Sequence, residues 1–412
     1  MSKVITDKKL IEEVLTRGVE KIYPSYELLE KELLSGRRLK LYCGFDPTAP
    51  SLHIGNAISL NKLGQFQALG HEVIFLIGDF TGLIGDPTDK KAVRRQLTKE
   101  EVEHNARDYK KQASAYLRFD GDNPAKIKYN SEWNSKLTFA DLIELASNFT
   151  VQRMIQRDMF QKRLAKEKPI YLHEFLYPLT QAYDSLAMNV DLEVGGNDQM
   201  FNMMCGRDLL KIKKGKEKFV LTMKLLTDDQ GQKMGKSDGN VVFLNEKPEN
   251  MYGQIMSWPD GVLGAAFELT TKLPWKEVKN IKQELKQAKV NPRDLKMKLA
   301  KEITRINYGS NLAQEAEDNF IKTIQKKEIP TEIPNWLASK KSYLLIDLLV
   351  ESKLASSRTE ARRLIEQGAI KEQSIKGPKV LKDPKQEIKI KSGLILSRGK
   401  LHFIKIITKN NK

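Results

Sequence analysis

Apolar and polar positions alternate along this chain with two different periods, and the switches between them mark out the elements. Residues 7–17 carry the helical period and predict an amphipathic helix. Residues 39–43 form a short apolar strand, broken by Gly44-Phe45-Asp46-Pro47-Thr48, after which a helical pattern starts near Asn56 and runs to Leu69. Residues 72–77 are short, β-branched and bounded by glycines, and so read as the next strand. Strand, helix and strand at this spacing form a βαβ unit and predict an α/β fold with a parallel sheet. Further helices are predicted over 99–117, 138–148 and 177–188, and short strands over 192–194 and 219–222. Beyond Asn240 the texture changes to charged amphipathic helices, at 275–288 and 291–308. A Pro- and charge-rich stretch, 326–335, reads as a linker. It is followed by helices at 342–351 and 357–367 and by short strands rich in Ile and Lys. Three domains are expected: 1–225, α/β; 226–330, α-helical; and 331–412, the linker with a small α+β domain.

Composition narrows the class. With 412 residues, 40% hydrophobic and 30% charged, the chain can fill more than one core. No apolar run approaches the roughly 18 residues of a membrane span, and residues 1–10 lack the apolar stretch of a signal peptide, so a soluble, cytoplasmic protein is expected. Two cysteines, Cys43 and Cys205, and five scattered histidines form no disulfide framework and no zinc motif; no protein-bound metal is expected. The formal charge of +17 fits either a polyanionic partner or a lysine-rich proteome. Its placement says more. Residues 331–412 hold 18 Lys and Arg against 8 Asp and Glu, a net of +10, which reads as a nucleic-acid-binding appendage on a less basic body.

Two loops could handle phosphate. The first is the strand-to-helix junction that ends in His53-Ile54-Gly55-Asn56. A helix N-terminus there offers unpaired N–H groups and positive dipole, Gly55 permits close approach, and Thr48 and His53 add side-chain donors. By itself the run is a tight turn with an asparagine cap. The second loop, 232–240, places Lys233 and Lys236 among small residues, as a pyrophosphate clamp requires. It is one residue short of a P-loop and no strand runs into it, so the P-loop reading fails. By itself it is a solvated turn. Between the two loops, Tyr177, Gln181 and Asp184 fall at i, i+4 and i+7, on one helix face.

Together, His-Ile-Gly and Lys-Met-x-Lys-Ser about 180 residues apart resemble the two signatures of class I aminoacyl-tRNA synthetases. The segments Tyr42-Cys43-Gly44-Phe45-Asp46, Tyr177 to Asp184 and Val194-Gly195-Gly196-Asn197-Asp198-Gln199 look like the amino acid pocket of the bacterial tyrosyl-tRNA synthetases. The stretch 354–365 is similar to the S4 RNA-binding module of that family. The resemblance covers essentially the whole chain and implies a Rossmann-like nucleotide-binding domain, an α-helical domain and a small S4 domain. It implies that Tyr42 and Asp184 hold the tyrosine hydroxyl, and that Asp86, Tyr177 and Gln181 hold the ammonium group. Thr48 and His53, with Lys90, Arg94, Lys233 and Lys236, would surround the ATP phosphates and the departing pyrophosphate. Cys43, Gly44, Asp46, Gly55, Asn56, Gly196, Asp198, Gln199 and Ser237 would line the ATP and adenylate side. Arg358, Arg362 and Arg363 would face RNA, with Lys371, Lys376 and Lys379 in the adjoining loop. Magnesium would travel with ATP, tRNA would be the second substrate, and the family pairs as homodimers through a region corresponding to 132–172. Three positions depart from the pattern: Asn56 stands where a second His is usual, Gly235 replaces a Ser, and Asp89 sits beside Lys90 where Gly is frequent.

The implied chemistry suits the residues. Attack of a carboxylate on an α-phosphate needs reactants in line and donors aimed at growing charge, not a protein nucleophile, and the chain offers no Ser-His-Asp or Cys-His arrangement. Tryptophanyl-tRNA synthetase shares the fold and is the alternative within the class; Tyr42 with Asp184 speaks against it, because both suit a hydroxyl. A non-catalytic RNA-binding derivative is the alternative outside it.

Overall fold

The computed structural model describes residues 3–87, 97–227, 234, 241–322, 333–373, 378–399 and 402–408. The chain divides into two compact units, 1–313 and 314–412.

The first unit is built on a six-stranded sheet of β1 (Val19–Tyr23), β2 (Lys40–Phe45), β3 (Glu72–Ile77), β4 (Lys126–Tyr129), β5 (Leu192–Gly196) and β6 (Phe219–Met223), in the order β1-β6-β5-β2-β3-β4. All neighbours are parallel except β1, which lies antiparallel on β6. The buried strands explain their own sequences: β3 is covered on both faces and reads as an unbroken apolar run, Val73 to Ile77. β2 pairs with β3 along its whole length but with β5 only at Leu41 and Tyr42. The chain leaves β2 for β3 on one side and later returns to place β5 on the other, so the carboxyl end of β2 is a topological switch point, where a parallel sheet opens a crevice.

Several expectations shift in detail. β2 runs through Gly44 and Phe45 rather than breaking there, because both keep their ladder positions opposite Leu76 and Ile77. The following helix is Ile54–Ala68, capped by His53; Asn56 is its third residue and closes a capping box by accepting the His53 backbone N–H (3.0 Å), so it is not the cap. The single helix expected over 99–117 is two, Lys99–Ala106 and Tyr109–Ala113. The helix expected over 177–188 starts earlier, as His173–Met188, and tolerates Pro178 in its second turn.

The helices Pro248–Met256, Leu263–Thr270, Trp275–Lys286 and Pro292–Tyr308 follow β6 within the same unit, burying among others Tyr252, Phe267, Ile281 and Leu299. The expected linker falls largely outside the described residues. The second unit carries a sheet with strands β7 (Asn335–Leu337), β9 (Ile370–Gln373), β10 (Lys379–Val380), β12 (Leu394–Arg398) and β13 (His402–Ile407), in the order β10-β9-β12-β13-β7. A separate pair joins β8 (Ser342–Leu344) to β11 (Glu387–Lys389). That pairing claims residues expected to open a helix, which starts at Leu345 instead. Leu345, Leu348, Leu349, Ile365, Leu396 and Ile406 form this unit's own core.

Candidate active site

The crevice at the end of β2 gathers the candidate residues. Tyr42 and Cys43 are buried within the strand, and Asp46 lies just past its end. Burial pushes the Cys43 thiol up to about 12, which keeps it a neutral lining group rather than a nucleophile. The Asp46 carboxylate accepts the Thr81 hydroxyl (2.7 Å) and the Tyr177 phenol (2.6 Å). Tyr177, expected at the substrate ammonium, thus also fixes a residue expected on the adenylate side.

The helix His173–Met188 lies against this crevice and brings Tyr177, Gln181 and Asp184 to it, as their spacing requires. Asp184 is 2% exposed. Its carboxylate accepts Trp133 Nε1 (2.7 Å), Asn134 Nδ2 (2.9 Å) and Asn130 Nδ2 (3.2 Å). Burial nevertheless pushes its carboxyl from the ordinary 3.8 up to about 8, against the pull of these three donors. Tyr42 does not bond Asp184 directly: its hydroxyl lies 2.9 Å from Ser185 Oγ, and burial together with the charges of Glu193 and Asp184 holds it neutral. Gln181 donates through Nε2 to Glu193 (2.9 Å). Asp86 accepts Gln199 Nε2 (2.6 Å), and Gln199 in turn accepts Asn202 Nδ2 (2.9 Å), which ties the loop after β3 to the turn Asn197–Gln199 that follows Gly196 and holds Asp198.

The start of the helix Ile54–Ala68 carries the residues expected on the phosphate side. A Cβ on Gly55 would come within 2.9 Å of the His53 ring, so here glycine makes room for the imidazole. The backbone of Ile54 donates to Val242 O (2.9 Å), and Leu244 donates to Leu52 O (2.8 Å). The segment just after the lysine loop is therefore stitched beside His53. Within that loop the buried Met234 donates to Leu226 O (2.8 Å), close after β6. The segment that leaves the loop thus stands next to the first signature, with Thr48 half-buried on the stretch before it. Lys90, Arg94, Lys233, Lys236 and Ser237, with Asp89 and Gly235, lie outside the described residues.

In the second unit Arg358, Arg362 and Arg363 are exposed on the helix Arg358–Glu366. Arg358 is engaged with Asp347 (2.9 Å from Nε), leaving Arg362 and Arg363 as the more open cations of the trio. Lys371 and Lys379 sit on β9 and β10 rather than in a loop, and Lys376 is outside the described residues.

Sequence reasoning missed Asn130, Trp133 and Asn134 around Asp184, and Ser185, Glu193 and Lys218 behind Tyr42. None carries a local signal, because each acquires its role only through contacts distant in sequence.

Residues 34–325 match the family of class I tRNA synthetases (W and Y), and residues 325–406 match the tyrosine–tRNA ligase SYY-like C-terminal domain. The chain is 43% identical to the tyrosine–tRNA ligase of Moorella thermoacetica over 399 residues, covering 96% of this chain and 95% of that one. It is 42% identical to that of Thermotoga maritima, covering 95% and 96%. Among solved structures, a C-terminally truncated mitochondrial tyrosyl-tRNA synthetase from Coccidioides posadasii superposes with a TM-score of 0.61 at 24% identity, covering 75% of this chain and 91% of that one, and so shares the fold. The crevice beside the first signature, the parallel sheet around it and these matches agree: the chain belongs to the class I tRNA synthetase (W and Y) family, among its tyrosine–tRNA ligases.

Proposed function

We propose that the crevice activates L-tyrosine with ATP to tyrosyl-adenylate and pyrophosphate, and then passes tyrosine to the 3′ end of its tRNA. The observation that carries this reading is Asp184: a buried carboxylate held by three N–H donors, with the Tyr42 hydroxyl nearby, suits a substrate that brings a hydroxyl. Tyr42 and Asp184 take that hydroxyl, and Asp86, Tyr177 and Gln181 take the ammonium group. Thr48, His53 and the helix N-terminus face the phosphates, together with Lys90, Arg94, Lys233 and Lys236. Cys43, Gly44, Asp46, Gly55, Asn56, Gly196, Asp198, Gln199 and Ser237 line the nucleotide side. Magnesium enters as part of the ATP substrate. In this reading residues 1–225 hold the catalytic crevice, 226–330 the lysine loop and tRNA-contacting helices, and 331–412 an RNA-binding module with Arg358, Arg362 and Arg363 on its surface. The protein works as a homodimer in the cytoplasm.

Exchange of labelled pyrophosphate into ATP tests the reading. Tyrosine alone among the amino acids drives it efficiently, and Asp184→Ala lowers kcat/KM for tyrosine by about 10- to 100-fold, the value of a hydrogen bond to a charged group. Exchange driven by tryptophan, or an undiminished tyrosine preference in that variant, contradicts it.

A further inference from the structure

Behind Tyr42 lies a buried ion pair that the reaction as described does not use. Glu193 stands directly opposite Tyr42 in the β2–β5 ladder, and Lys218 leads into β6. Lys218 is fully buried and Glu193 is 2% exposed. The ammonium group pairs closely with Glu193 Oε2 and donates to Ser185 Oγ (2.7 Å), which lies 2.9 Å from the Tyr42 hydroxyl. Glu193's other oxygen accepts Gln181. Burying two charges costs desolvation that their attraction alone seldom recovers, so the pair contributes little to stability. Space is also reserved for it: a Cβ on Gly206 would meet both Lys218 Nζ and Ser185 Oγ at 2.7 Å.

Each hydroxyl has one proton and two lone pairs, which leaves two orders for the chain. Ser185 Oγ accepts from Lys218. Its own proton has two acceptors in reach, Tyr42 Oη at 2.9 Å and Glu193 Oε2 at 3.3 Å. A proton given to Glu193 makes Tyr42 the donor to Ser185; a proton on the shorter contact makes Tyr42 the acceptor and leaves its own proton for the pocket. We propose that Lys218 and Ser185 are positioning residues that set the direction of a hydrogen-bond chain running Lys218 to Ser185 to Tyr42 to the substrate phenol to Asp184. The inference rests on the reading of Tyr42 and Asp184 as the phenol's partners. The site thereby offers a hydroxyl one donor and one acceptor at once, each bond polarising the next. Phenylalanine leaves both unpaired in a buried place.

The test is pyrophosphate exchange with tyrosine and with phenylalanine on the full-length chain, comparing Ser185→Ala, Lys218→Met, their double variant and Tyr42→Phe. Ser185→Ala leaves the ion pair in place and lowers the tyrosine-over-phenylalanine ratio of kcat/KM by about tenfold, roughly one hydrogen bond, through KM for tyrosine. KM for ATP and kcat/KM for phenylalanine stay at wild-type values. Lys218→Met has the same signature, and the double variant loses no more than either single one, because the residues act in series. A fall of tyrosine, phenylalanine and ATP parameters together would mean a structural role and overturn the inference. So would an unchanged or increased ratio in Ser185→Ala, the result expected if Tyr42 donates to Ser185 instead. If Tyr42→Phe loses the preference while Ser185→Ala keeps it, the directed chain fails and the phenol site stands; if Tyr42→Phe also keeps it, the phenol site falls and the chain with it.

Discussion

The single residue that best shows how function strains this fold is Asp184. Burial raises its carboxyl to about 8 while three N–H groups favour its charged form, so charging it as an acceptor costs stability. The sign of that cost follows from proton binding. The unfolded chain releases this proton in the ordinary carboxylate range, near 3.8, whereas the fold keeps it to about 8. Between those values the folded state binds the extra proton, and stability falls as pH rises through the window. Asp184→Asn has no proton to lose. Its melting temperature, measured without ligand, falls less than that of the wild type between about pH 5 and 8, whatever constant offset the amide introduces. Parallel curves for the two proteins would contradict a raised carboxyl at this position. Part of this site can be read from sequence, since Tyr177, Gln181 and Asp184 share one helix face by spacing alone. Its other half cannot, because Asn130, Trp133 and Asn134 belong to the one-turn helix Ser131–Asn134 and its cap after β4, which is too short to show a period and acts only once folded against the helix His173–Met188.

Among the elements, the helix Ile54–Ala68 does the most to shape the phosphate side. His53 caps it and Asn56 closes the box, so the residue found where a second histidine is usual has a structural task that an amide oxygen performs directly. The segment after the lysine loop is hydrogen-bonded beside that cap. In the proposed reading, donors gathered there meet charge that grows on the β- and γ-phosphates as pyrophosphate leaves, and so act on the transition state more than on ATP binding. His53→Ala and Lys233→Ala each lower the single-turnover rate of adenylate formation by an amount equivalent to about 2–4 kcal/mol, while the dissociation constant for ATP changes little. A raised dissociation constant with an intact rate would assign these groups to ground-state binding. Elements also differ in how openly the sequence announces them. β3 is evident because burial on both faces demands an unbroken apolar run between glycines. β1 is hidden: an edge strand with Glu20 and Lys21 exposed has neither an apolar run nor a clean alternation, and only its pairing with β6 defines it. The stretch Ser342–Leu344 misleads for the same reason, as its continuity with an apolar helix masks a strand fixed by a partner more than 40 residues away.

At the scale of the whole molecule, charge and apolar surface lie in different places and predict different partners. In the segment 132–172, Phe139, Val151 and Leu172 are 79%, 71% and 80% exposed, and Ile143 and Tyr171 are also open to solvent. Large apolar side chains gathered along one segment suit an interface between two copies, and light scattering at micromolar concentration returns twice the chain mass of 47.1 kDa. Phe139→Asp shifts that mass toward the single chain. The charge, by contrast, is concentrated at the other end. Residues 331–412 hold +10 of the total +17, whereas every candidate residue for tyrosine and ATP precedes Asn240. The second unit has a core of its own around Leu348, Ile365 and Leu396. Arg362 and Arg363 are exposed and can neutralise RNA phosphates, a contribution that weakens steeply with salt as counterions are released and recaptured. A chain ending at about Lys326 therefore keeps tyrosine-dependent pyrophosphate exchange close to the full-length rate but loses most of its aminoacylation of tRNA. In the full-length protein, raising the salt lowers aminoacylation well before it affects exchange, and Arg362→Ala with Arg363→Ala reduces that salt sensitivity. A truncated chain that charged tRNA as fast as the whole protein in moderate salt would make the basic unit dispensable, and its charge would then be no more than a solubilising surface.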